Sequence, residues 1–187
     1  MKKLLVFLPL LFFVVFPKSV IFAQDSGSAS ATVSPTPMMV NDYTLPYPGI
    51  LPDNPLYFFK TLRDRMIVFF ISDPLKKSSF YLLQSDKRLA SSWYLLKKDT
   101  KTDGLALTTL SKSTNYLSQS VDEMKNAKAT GEDVGALLGT IRQAVPKHAA
   151  IIVQMEALPG LSNKSAFVTE EKRTMDLEKV VSAFSAQ

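Results

Sequence analysis

From Pro52 onward the chain is punctuated at helix-length intervals by Asn54-Pro55, Asp73-Pro74, Asp103-Gly104, Gly131 and Pro159-Gly160. Between these marks apolar residues recur every three or four positions, the period of a helix that hides one face. Caps and breakers at those spacings leave an all-α, up-and-down bundle of four to five helices as the expected fold. The low glycine count, 7 in 187 residues, agrees, since turn-dense β folds and glycine-rich phosphate loops need more.

The expected helices follow directly. Asn54 is a candidate N-cap with Pro55 at the first helical position, and Leu56, Phe59, Met66 and Phe70 form the stripe of helix one. Asp73-Pro74 repeats the device and opens helix two, whose stripe is Leu75, Ser79, Leu82, Asp86, Leu89, Trp93 and Leu96. Helix three runs over about 105–129, with Leu110, Leu117, Val121 and Met124 on one face. Gly131 suits a left-handed C-cap. Helix four, over about 133–158, aligns Val134, Leu137, Ile141, Val145, His148, Ile152 and Met155, with a kink expected at Pro146. Helix five, over about 162–186, carries Phe167, Leu177, Val181 and Phe184.

Three parts are expected along the chain. Residues 1–23 join a Lys2-Lys3 start, an apolar run from Leu4 to Phe16 and Ala23 at a cleavage position, the pattern of a secretory signal peptide. Retention as an N-terminal membrane anchor is the alternative, and either way the rest of the chain faces outside. Residues 24–45 are small, polar and proline-containing, and read as a disordered spacer. Residues 46–187 form the helical domain. Pro46, Pro48, Pro52 and Pro55 stiffen its first stretch, Gly49 permits a bend, and Tyr47, Ile50 and Leu51 are expected to lie on the bundle as a strap. The P-x-x-P reading of Pro52 to Pro55 is weaker, because the segment runs straight into a helix.

Composition excludes several classes. With no cysteine there is no disulfide framework and no thiolate site. Basic residues outnumber acidic ones by 22 to 17, but three of the lysines lie in residues 1–23, which leaves a balance of +2. Nucleic acid is therefore not an expected partner. A protein or cell-envelope component is, with contact to the membrane only through an uncleaved N-terminal segment. Homo-oligomers remain compatible.

The residues Pro48-Gly49, Pro55-Leu56-Tyr57, Lys60 and Arg88-Leu89, with Val145 to Ile152 further on, resemble an exported bacterial helical domain family of unknown function (DUF5667). The resemblance covers roughly residues 46–158. It implies an extracytoplasmic helical domain and carries over no activity or catalytic residue.

The sole histidine, His148, is the one residue that cofactor chemistry could use. A serine triad lacks a nucleophile signature, and zinc would need ligands mostly from carboxylates. Heme held by His148 and Met66 is the sharper idea, although a structural histidine is the plainer one, and no cofactor or metal is expected. Arg63 and Asp86 interrupt apolar stripes and are expected to pair across helices one and two, setting register. Pro48, Gly49, Pro55 and Tyr57 are expected to be structural. Trp93-Tyr94 and Phe80-Tyr81 read as core before partner anchors. The expected function is a non-enzymatic, exported binding module. A membrane-anchored sensory ectodomain and a cofactor-binding bundle using His148 are the alternatives.

Overall fold

Each sequence break falls at or between helix ends. The structure, a computed structural model, describes residues 39, 40, 42–99 and 103–184. Within them lie α1 (Tyr57–Phe70), α2 (Pro74–Lys98), α3 (Asp103–Ala129), α4 (Gly135–Glu156) and α5 (Lys164–Phe184). A two-residue antiparallel ladder, β1 (Met39–Val40) with β2 (Tyr43–Thr44), precedes α1. The signal segment 1–23 and most of the spacer, 24–38, lie outside the described residues.

The caps explain the boundaries. Asp73 accepts the Lys76 amide at 3.1 Å and Pro74 takes the first helical position, so α2 starts as expected. Gly131 sits at φ 87° and closes α3. Helix α1 starts later than expected. Asn54 Oδ1 accepts the Leu56 amide at 2.9 Å, a side-chain turn rather than a cap, and Tyr57 is the first helical residue. Asp133 makes the same turn onto Gly135, at 2.9 Å, before α4. Helix α4 continues through Pro146, where the missing N–H leaves the fourth carbonyl back without its bond.

Hydrogen bonds give the helix directions. Ser78 Oγ donates to the Ser120 carbonyl at 2.6 Å, Ser85 Oγ to Ser113 O at 2.8 Å, and Ser92 Oγ to Ala106 O at 2.7 Å. One partner rises as the other falls, so α2 and α3 are antiparallel. Ser113 Oγ returns a bond to Ser85 O at 2.8 Å. Three serines at intervals of seven present small side chains on one side of α2. The two backbones can then approach closely, and each hydroxyl is satisfied by a facing carbonyl. His148 on Asp86 and Met155 against Ser92 make α4 run parallel to α2. Helix α2 packs on α3 and α4, and α5 on α4 and α3, an up-down-up-down square.

The core has two apolar halves. One gathers Leu89, Leu96, Leu110, Ile152, Met155 and Phe167, the other Leu82, Leu117, Met124, Ile141, Val145 and Val181. Between them on the same helices lie the buried polar side chains Ser85, Asp86, Ser113, Thr114, Lys147, His148 and Thr174.

Three expectations are corrected. The folded domain reaches back into the presumed spacer, because Leu45 is buried in the core and Tyr43 packs against both halves. The strap is turned over accordingly. Leu45 and Pro48 face in, while Tyr47 and Ile50 face solvent. Leu45 and Pro48 lie three residues apart, the repeat of a polyproline II segment, and the Tyr43 bond to Asp86 selects which side faces in. The stripe of helix one is likewise outside. Phe59 is 65% exposed, Phe70 75% and Met66 55%, while the buried residue of α1 is Asp64.

Candidate functional site

Two polar constellations stand out. The first is the centre of the polar layer. Asp86 accepts from the Tyr43 hydroxyl at 2.6 Å and faces His148 Nε2 at 2.7 Å. Burial, followed by the carboxylate of Asp86, pushes the Tyr43 hydroxyl well above its ordinary pKa. The expected Arg63–Asp86 pair does not form. Arg63 lies on the outer rim of α1 with its guanidinium on its neighbour Asp64, 2.8 Å away, and its side chain is 61% exposed. Asp86 joins three segments of chain instead. His148 is 1% exposed, with Nε2 committed to Asp86, and Met66 stands on the outward side of α1, so the structure does not bring the two heme candidates together. Among the described residues no group of three His, Asp or Glu side chains is placed to hold a metal ion.

The second constellation lies between α1 and the α2–α3 pair. Helix α1 folds back along α2 through the short turn 71–73 and stands off it, leaving an open cleft of about 700 Å³. Beside it, the strap is tied to α1 and α2 by residues far apart in the chain. Lys60 Nζ donates to the Pro48 carbonyl at 2.5 Å and to the Ile50 carbonyl at 3.3 Å. Gly49, at φ 73°, makes the bend that presents those carbonyls. Burial and the nearby Arg88 lower the Lys60 pKa to about 8. Lys98 holds Asp53 at 2.6 Å and pins the other end of the strap. Pro55 falls in the turn just before α1 and lines the mouth.

Arg88 is the floor of the cleft. It is 6% exposed, with its guanidinium between the rings of Tyr57 and Tyr116, 5.5 Å and 5.4 Å from their centroids. Nη1 donates to the Tyr57 hydroxyl. Nε has no hydrogen-bond partner among the described residues. Burial raises the Tyr57 pKa and the Arg88 charge opposes that rise. Tyr81 stacks on Tyr116 at 5.8 Å and extends the aromatic wall. Arg65 and Lys112 reach the cleft from α1 and α3. No carboxylate lines it.

Sequence reasoning placed Pro48, Gly49, Pro55 and Tyr57 here only as structural positions and gave Arg88 no role. Arg65, Lys112 and Tyr116 were not singled out. One available signal was a basic residue next to Leu89 on the helix with the most serines, a place where an unpaired charge is costly.

The outward side of α1 is the remaining feature. At about 100° per residue, Phe58, Phe59, Leu62, Met66, Phe69 and Phe70 fill one sector of roughly 120°. All six are exposed, Phe69 at 82%. Arg63 and Arg65 fall on the two edges of that sector, while Tyr57, Thr61, Asp64 and Val68 face the bundle. The helix therefore carries its apolar side outward and its polar side inward. Compared with known proteins, the chain matches no family model, no curated protein and no solved structure.

Proposed function

We propose that this is an exported, non-enzymatic binding module whose α1 seats on a lipid membrane surface. On this reading residues 1–23 direct export, residues 24–38 space the domain from the membrane, and the helical domain works outside the cytoplasm. The observation that carries the reading is the reversed polarity of α1. An apolar sector of aromatic, Met and Leu side chains, bracketed by arginines, is the pattern of a helix lying in the interface plane. The bracketing cations complement lipid phosphates. At 14 residues α1 spans about 21 Å, short of the ~30 Å hydrocarbon core. Among the described residues no helix is long and apolar enough to cross a membrane. Leu56, at the turn just before α1, is a further exposed apolar side chain.

Tryptophan fluorescence of Phe59→Trp in the full chain tests the proposal, with the native Trp93 signal subtracted using the unsubstituted protein. Phosphatidylglycerol vesicles should shift the new emission to the blue, and brominated acyl chains should quench it. Unchanged emission would refute membrane seating. A blue shift that needs no lipid and grows with protein concentration would refute it in favour of a second copy of the chain.

A further inference from the structure

We infer that the cleft between α1 and the α2–α3 pair is a binding site for a phosphate-bearing ligand, with Arg88 at its base and Arg65 and Lys112 at its mouth. The membrane reading concerns the outward side of α1, and Arg65, at the edge of that side, is shared by the two sites.

The lining has the chemistry for it. Three cationic side chains arrive from three helices, and no carboxylate lines the space they share. The nearest buried acid on α1, Asp64, holds Arg63 through Oδ1, leaves Oδ2 without a partner and lies outside the lining. Neither Arg65 nor Lys112 has an ion-pair partner among the described residues. Arg88 is more than nine-tenths buried, has only a phenol and two rings for company, and keeps Nε unsatisfied. A buried guanidinium without a carboxylate leaves charge and a donor uncompensated. An incoming oxyanion supplies both, and Arg offers the fork geometry that phosphate oxygens fit. Asn115 adds a directed donor. Its Oδ1 accepts from Arg173 Nη2 at 2.6 Å, which turns the amide NH₂ away from that bond. The stacked rings of Tyr81 and Tyr116 provide a flat apolar wall for the body of the ligand. At about 700 Å³ the space suits a small organic phosphate rather than the bare ion. A phospholipid headgroup and a soluble phosphate ester share this chemistry.

The test is calorimetric titration of the full-length protein with glycerol 3-phosphate, and separately with short-chain phosphatidylglycerol, with acetate and citrate as carboxylate controls. Saturable binding of one phosphate ligand per chain is expected, weakened by salt. Lys112→Gln and Arg65→Gln alter exposed side chains and should leave the fold intact, while each weakens binding about tenfold. Arg88→Met should abolish it in protein that circular dichroism shows to be folded, and Lys112→Gln and Arg65→Gln carry the test if that variant unfolds. Binding of glycerol 3-phosphate identifies a soluble ester as a ligand. Binding of the phospholipid alone, lost in Lys112→Gln, identifies the headgroup. Absence of saturable binding to both, preference for citrate, or binding indifferent to Lys112→Gln and Arg65→Gln would overturn the site. Phe59→Glu with Phe70→Glu should retain glycerol 3-phosphate binding even where membrane seating is lost, so the two proposals fail separately.

Discussion

Helices α1 and α2 are consecutive, antiparallel and joined by a three-residue turn, yet they use their side chains in opposite ways. The one buried residue of α1 is Asp64, and its phenylalanines face outward. Of the twelve buried residues of α2, seven are polar: Ser78, Gln84, Ser85, Asp86, Arg88, Ser91 and Ser92. Apolar content is thus a poor guide to burial in this chain. What buries α2 is small size and satisfied hydrogen bonds. The serines let α3 approach and then bond to its carbonyls, and Asp86 is bonded from two sides. What keeps α1 outside is that its inward face has only a polar cleft to meet. The contrast implies that α2 is spent on the fold and α1 on a surface beyond it.

The largest effect should come from breaking the polar layer. Asp86→Ala leaves His148 and the Tyr43 hydroxyl buried without their acceptor. It should lose about 3–5 kcal/mol of stability in urea unfolding. If the variant is as stable as the parent, the polar centre of α2 is not what holds the layer.

Next comes the serine seam. Ser85→Leu puts a branched side chain where two backbones are in close approach and removes a bond to Ser113. A loss of about 3 kcal/mol is expected. Ser85→Ala keeps the size and should lose only about 1 kcal/mol. Equal losses for the two would mean that close packing is not what the serines provide.

On α1 the opposite substitution should be almost free. Phe59→Glu with Phe70→Glu in lipid-free buffer should change stability by less than about 0.5 kcal/mol, as at an exposed surface. A large loss would show that these rings pack on the bundle and would dissolve the contrast with α2.

The smallest effect is a pH dependence at the strap. The Lys60 pKa is lowered from 10.5 to about 8 by burial and by Arg88. Between those values the folded domain binds fewer protons than the unfolded chain, so the Lys60 contribution to stability rises with pH. Unfolding followed from pH 7.5 to 9, where a tyrosine of ordinary pKa about 10 is ionised to less than about a tenth, should show this slope flattened in Lys60→Met. An unchanged slope would remove Lys60 as its source.

The sequence announced the helices well because their ends are written locally. Asp73-Pro74 and Gly131 act through one residue's capping or φ preference and need no partner. The facing of each helix was less legible, because it depends on what lies opposite. The period of Leu56, Phe59, Met66 and Phe70 is real, but a period says only that one side is apolar and does not say that protein covers it. The seam of Ser78, Ser85 and Ser92 was hidden because apolar stripes alone were followed. The Asp86 partner was within reach. Asp86 and His148 are the polar members of two apolar stripes, on helices two and four, and pairing them would have been the better choice than Arg63. The cleft was not legible at all, since Tyr57, Arg65, Arg88 and Lys112 meet only through the fold-back of α1.

Peroxide oxidation of the full-length protein, read residue by residue by mass spectrometry, tests the role of α1 most directly. Met66 on the outward side of α1 is 55% exposed, Met175 on α5 is 44% exposed, and Met124 and Met155 are buried. In buffer Met66 and Met175 should both oxidise and the buried pair should resist. With phosphatidylglycerol vesicles Met66 should become protected while Met175 continues to oxidise. Met66 oxidising at the same rate with and without vesicles would contradict the assignment of α1 as the membrane-facing surface.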